Sequence, residues 1–168
     1  MEKRNILNCN NLTWREEPVH TDINDIVEIV RSTGFFNEGE LDVAAELVEE
    51  RLAKGTASGY YFLFLEVDRK VTGYSCYGPI PGTISSFDLY WIAVNNESRG
   101  MGLGKLILDM SEQKIASMSG TKVYIETASR DLYLPTRKFY DSCGYKAEAQ
   151  LKDFYGPDDD KIIYVKNM

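Results

Sequence analysis

The chain is poor in the residues that metal centres and disulfide frameworks require. It has one histidine, His20, and three cysteines, Cys9, Cys76 and Cys143, an odd number at wide and unpatterned spacing. Such spacing gives neither a disulfide framework nor a zinc signature, so no metal is expected. Long apolar runs are missing too. No stretch approaches the about 18 residues that a membrane span needs. The opening MEKRNILNCNNL has no apolar region behind its charges to act as a signal sequence. Positive charge is also in deficit: 19 Lys and Arg against 26 Asp and Glu leave a net charge of −7. A domain this acidic is a poor partner for nucleic acid, whose binding rests mainly on neutralising phosphates. Its field suits a cationic substrate such as an amine. The expectation is a soluble, cytoplasmic protein with no membrane and no nucleic-acid partner. A length of 168 residues fits one domain, 1–168, and 11 Tyr with 7 Phe are ample for a single core.

The pattern along the chain is mixed. LTWREE at 12–17 reads as a first strand, ended by Pro18. Thr21 is placed as a helix N-cap, with Ile23, Ile26, Val27 and Val30 at helical spacing and Gly34 as the break. A second helix fits 40–53, before Gly55. YYFLFLEV (60–67), the polar turn Asp68-Arg69-Lys70 and 71–77 read as a hairpin. A Gly/Pro loop at 78–82 leads to a strand at 86–94. A helix over 103–118, a strand over 121–127 and a short helix over 135–143 follow, the last with Pro135 near its start and Gly144 past its end. Two strands, 145–151 and 161–166, close the chain around a Gly156-Pro157 loop. The order β-α-α-β-β-β-α-β-α-β-β gives an α/β (α+β) fold with a mixed sheet of six to seven strands and about four helices.

Between the strand at 86–94 and the helix at 103–118 lies a loop with Gly100, Gly102 and Gly104, an arginine before them and a lysine after. A P-loop would need glycine at 99 and Ser or Thr at 106, where Arg99 and Leu106 stand. The dinucleotide pattern G-x-G-x-x-G fails at Lys105. A G-x-G-x-G pattern, as in many methyltransferases that bind S-adenosylmethionine, does fit, and Glu126 closes the next strand about twenty residues on, where a ribose-binding acid would sit. Too few residues follow Gly104 for a doubly wound sheet, however, and the segments before it form a meander.

The segment Arg99-Gly100-Met101-Gly102-Leu103-Gly104 matches Arg/Gln-x-x-Gly-x-Gly/Ala. Here the chain resembles the GNAT superfamily of acyl-CoA-dependent N-acyltransferases. Glycines let a backbone approach a bulky pyrophosphate, and the first helical turn presents N–H groups and a positive dipole end. Arg99 and Lys105 can add charge. The run Arg137-Lys-Phe-Tyr140-Asp-Ser-Cys-Gly-Tyr145 looks like a second signature of that family, and the element order is also the family's. The likeness covers 60–168 by motif and 12–55 by topology, with the cofactor-binding core at about 86–145.

The resemblance implies a division of labour. The strands at 86–94 and 121–127 would splay apart, with the pantetheine arm of acetyl-CoA pairing with the main chain of Ile92, Ala93 and Val94. Arg99, Gly100, Met101, Gly102, Leu103, Gly104 and Lys105 would cradle the pyrophosphate. Tyr140 is the general-acid candidate, since a phenol of pKa about 10 is protonated at neutral pH. Asp88, where some family members carry a catalytic glutamate, is a candidate base. Glu126 on the facing strand is its rival. An ordinary Asp titrates at about 4, so Asp88 would need burial or a water chain. The implied reaction is direct transfer of acetyl from acetyl-CoA to a primary amine in a ternary complex, the acceptor being a small molecule or a protein amine, on a monomer or homodimer. A non-catalytic acyl-CoA sensor and a methyltransferase are the alternatives.

Several residues stand outside that plan. His20 reads as a cap-region or surface residue. Cys143 reads as a packing residue, because direct transfer needs no covalent stop. Alternation puts Tyr90 and Trp91 on opposite faces, one for core and one for an acceptor pocket. Many family members have an asparagine where Tyr133 stands, and that cofactor contact does not carry over. Asp153 to Asp160 is acidic and aromatic, and reads as a solvated loop or as a rim for a cationic acceptor. It resembles the tails of bacterial and archaeal members of unassigned substrate.

Overall fold

The structure, a computed structural model, describes residues 11–168. The opening segment with Cys9 lies outside the described residues. Seven strands form one hydrogen-bonded sheet: β1 (Leu12–Arg15), β2 (Tyr61–Val67), β3 (Lys70–Pro79), β4 (Ser86–Val94), β5 (Lys122–Ala128), β6 (Lys146–Gly156) and β7 (Asp159–Asn167). Their order is β1-β2-β3-β4-β5-β7-β6. The α-helices are α1 (Asp22–Thr33), α2 (Glu38–Lys54), α3 (Leu103–Ser117) and α4 (Leu134–Ser142). The described residues thus have the α/β class and element order read from the sequence. The β4–β5 pair is parallel, whereas β1–β2–β3 and β5–β7–β6 run antiparallel. That mixture rules out a doubly wound nucleotide fold and with it the methyltransferase alternative. No helix among the described residues is long and apolar enough to cross a membrane.

By contacts the chain forms two compact units, and β4 and α3 each contribute to both. In the unit made of residues up to Tyr77 with Trp91–Ser111, period-2 alternation in β2 feeds two cores. Phe62 and Phe64 face α1 and α2, joining Ile26, Val30, Leu41 and Val48. Leu65 faces the other way, onto Leu103 and Ile107 of α3. Gly73 on β3 makes this closeness possible. A Cβ there would meet Ile107 Cδ1 at 2.7 Å and the Ala93 carbonyl at 3.0 Å.

The helix starts differ from the sequence reading. Thr21 makes no side-chain cap. Asp22 instead ties down the chain just before the helix: its fully buried carboxylate accepts from Val19 N–H at 2.6 Å and is forked by Arg15 at 2.7 Å from both terminal guanidinium nitrogens. Arg15 also reaches Glu66 at 2.9 Å, tying β1, α1 and β2 together. α2 begins at Glu38 rather than at 40, because Asn37 and Glu40 form a reciprocal capping box.

The second unit comprises Gly78–Tyr90 and Glu112–Met168. Its helices pack through Tyr145, whose hydroxyl donates to Glu112 at 2.9 Å, while Lys166 holds the other oxygen of Glu112 at 2.7 Å. The acidic 153–160 segment is not a loop. β6 and β7 continue through it to a two-residue turn at Pro157-Asp158, with Asp158 at φ 60° and Gly156 opposite Asp159. β6 is exposed along nearly its whole length, so no apolar alternation marks it. Local bonds hold it: Asp153 N–H donates to Asp160, and Asp158 N–H to Asp153.

Candidate active site

The glycine loop is anchored where it leaves β4. Strand β4 ends at Val94, and Asn95 N–H is anchored on the Thr72 carbonyl at 2.8 Å. A short 3-10 helix, Asn96–Ser98, is capped by the Asn95 side chain and tied to α1 where Asn96 N–H donates to Ser32 Oγ. The backbone then turns through Gly100 at φ 76° and Gly102 at φ 81°. These left-handed values favour glycine. A Cβ on Gly102 would meet nothing within 4 Å, so its surface is open. Leu106 N–H bonds the Gly102 carbonyl, which makes Gly102 the residue before the first turn of α3. The N–H groups of Leu103 and Gly104 then have no acceptor one turn earlier in the helix. Left-handed glycines, with open space at Gly102, leading into a helix N-terminus suit a pyrophosphate, so these residues fit coenzyme A.

The side chains around the cradle are committed. Ile92, Val94, Met101 and Leu103 belong to the core on the α3 side, and Ala93 to the core on the α1–α2 side. The Arg99 guanidinium sits 4.7 Å from the Phe35 ring centroid. Lys105 is paired with Asp109 at 2.7 Å on its own helix. Of the two cations expected to add charge, Lys105 is therefore already matched by a carboxylate one turn on. Trp91 packs on Phe36 at 4.8 Å in the core, whereas Tyr90 is 37 % exposed.

The titratable groups gather in the second unit. β4 and β5 pair from Ser86↔Lys122 to Asp88↔Tyr124, and the pairing stops there. Register places Asp88, Tyr124 and Glu126 on one face of the sheet, with Lys161 of β7 opposite Ala128 on that same face. Burial pushes the Asp88 carboxyl up to about 6, with repulsion from Glu126 adding and attraction from Lys161 opposing. Lys161 Nζ lies 2.6 Å from Glu126 Oε2 and 3.8 Å from the Phe154 ring centroid. Sequence reading missed Lys161. Its role depends on the register of the last hairpin, which the sequence pattern cut short.

Tyr140 lies on α4, 5 % exposed, in a cluster with Tyr145 at 5.9 Å and Tyr164 at 5.7 Å between ring centroids. Burial raises its phenol above the usual range. Tyr164 alternates with Lys161 and Ile163 on β7, so Tyr140 packs on the face opposite to Asp88 and Glu126. The structure thus brings the two carboxylates together and sets the tyrosine across the sheet from them. Tyr133, at the place of the family's asparagine, is buried under Arg130. His20 is exposed, and Cys143 closes α4.

A family model described as an acetyltransferase (GNAT) domain matches residues 58–147. The chain belongs to the GNAT acetyltransferase family. A GNAT-family protein from Desulfovibrio desulfuricans is 42 % identical, aligned over 93 % of this chain and 98 % of its own, with a TM-score of 0.91. Aminoglycoside 6′-N-acetyltransferase from Enterococcus faecium is similar at 21 % identity, 93 % and 96 % coverage and TM-score 0.72. The PaiA N-acetyltransferase of Thermoplasma acidophilum, solved with coenzyme A, is similar at 16 % identity, 94 % and 99 % coverage and TM-score 0.73. These last two share the fold. No curated protein sequence matches the chain.

Proposed function

We propose that the protein transfers an acetyl group from acetyl-CoA to a primary amine by direct attack within a ternary complex. The observation that carries this reading is the pair of left-handed glycines, Gly100 and Gly102, the second open to its surroundings and leading straight into the first turn of α3. Bound acetyl-CoA supplies an electrophilic thioester carbonyl and a thiolate leaving group. The main chain of Ile92, Ala93 and Val94 orients the donor, as an added strand would be oriented. A backbone N–H of this stretch donates to the carbonyl oxygen as that oxygen gains charge. Asp88 takes the proton from the incoming ammonium, its pKa of about 6 leaving it ionised yet basic at neutral pH. Tyr140, held protonated by burial, gives a proton to the departing sulfur. A proton acceptor on one face of the sheet and a donor on the other suit attack and departure on opposite sides.

The acceptor is a small amine or a protein amine, drawn to a chain of net charge −7. The test is thiol release from acetyl-CoA against a panel of polyamines, aminoglycosides, amino acids and Lys- or Ala-terminated peptides. Amine-dependent release that is lost in Asp88→Asn supports the reading. Tight coenzyme A binding without turnover on any amine would instead make the protein an acyl-CoA sensor.

A further inference from the structure

Two carboxylates on one face pose a question of roles, and an unassigned lysine answers it. Asp88 on β4, Glu126 on β5 and Lys161 on β7 run diagonally across three neighbouring strands. Lys161 Nζ is 2.6 Å from Glu126 Oε2, with the lysine side chain only 13 % exposed while Glu126 is 52 % exposed. The ammonium is further seated on aromatic rings, 3.8 Å from the Phe154 centroid and 5.9 Å from that of Tyr155. A partly desolvated ammonium held by a carboxylate and a ring face is a fixed charge rather than a waving surface lysine.

The charged groups acting on Asp88 are Glu126 from β5 and Lys161 from β7. Tyr124, directly opposite on β5, and Tyr90, two residues along β4, bring phenols to the same face. We propose that Lys161 is a positioning residue that sorts the two carboxylates, engaging Glu126 as an ion pair seated on Phe154 and leaving Asp88 as the proton acceptor. The aromatic 153–155 segment then has a task in the site, which is to hold Lys161 in place from the far hairpin.

The inference rests on the reading of Asp88 as the base, and the experiment separates the two. The Asp88 carboxyl is followed by 13C NMR titration, assigned by its disappearance in Asp88→Asn, with no donor or acceptor present. Its midpoint, near 6 in the parent protein, is expected to move up in Lys161→Met and down in Glu126→Gln. It should return toward the parent value in the double variant, and stay in place in Lys161→Arg, which keeps the charge. A midpoint that ignores Lys161→Met overturns the role of Lys161, whatever Glu126→Gln does. Phe154→Leu, which unseats the ammonium without altering any charge, provides a second variant should Lys161→Met fold poorly, and its midpoint should also rise. Full thiol release in Asp88→Asn sinks the base assignment separately, whatever the titration shows.

Discussion

At the scale of single residues, Asp88 should set the pH dependence. A base must be ionised to accept a proton, so kcat/KM should climb with unit slope below about pH 6 and level off above it. Asp88→Asn should remove that limb and lower kcat/KM by about 10²–10⁴-fold. A profile that keeps its acid limb in this variant contradicts the assignment. The same shift has a cost in stability. A carboxyl whose folded pKa is raised prefers to stay protonated, so its ionisation works against folding as pH rises from 3.8 through about 6. Asp88→Asn should therefore melt higher than the parent above pH 6, with the difference closing as pH falls toward 3.8. Paired melting curves across that range check the sign. Tyr140→Phe should reduce kcat at least about tenfold while leaving the coenzyme A dissociation constant unchanged. Unchanged turnover would return Tyr140 to a packing role among Tyr145 and Tyr164.

At the scale of elements, the loop and the helix caps make separate claims. Gly102→Ala places a Cβ into open space at a left-handed φ of 81°, at a strain of about 1–2 kcal/mol. Isothermal titration should show coenzyme A affinity falling at least about tenfold in this variant, equivalent to about 1.4 kcal/mol. An unaltered affinity would mean that the phosphates lie elsewhere. In α2, Asn37→Ala should destabilise by about 1 kcal/mol through loss of the capping box, with no change in kinetics. The glycine loop was legible because its chemistry is local: glycines, strand and helix adjoin in sequence. The start of α1 is not. Thr21 has the right residue type, but Asp22 is drawn inward by Arg15, seven residues earlier on a different element. The 153–160 hairpin escaped for a similar reason. An edge strand exposed on both faces carries no apolar period, and its register is set by a two-residue turn and by Asp153 and Asp160 side chains. Lys161 falls inside a strand read from the sequence, but its contacts with Glu126 and Phe154 depend on that same hairpin.

At the scale of the whole molecule, family membership fixes the chemistry to acetyl transfer, while the acceptor is left to surfaces that vary with function. The central claim, that the loop from Arg99 to Gly104 is a coenzyme A cradle, is tested most directly by thermal shift with acetyl-CoA, coenzyme A and S-adenosylmethionine at equal concentration, on the parent and on Gly102→Ala. At about 100 times its dissociation constant a ligand adds roughly 2.7 kcal/mol, or roughly 5–10 °C for a domain of this size. A rise of that order is expected with acetyl-CoA and coenzyme A alone, reduced in Gly102→Ala. A rise with S-adenosylmethionine alone, or one with coenzyme A that survives undiminished in Gly102→Ala, would contradict it.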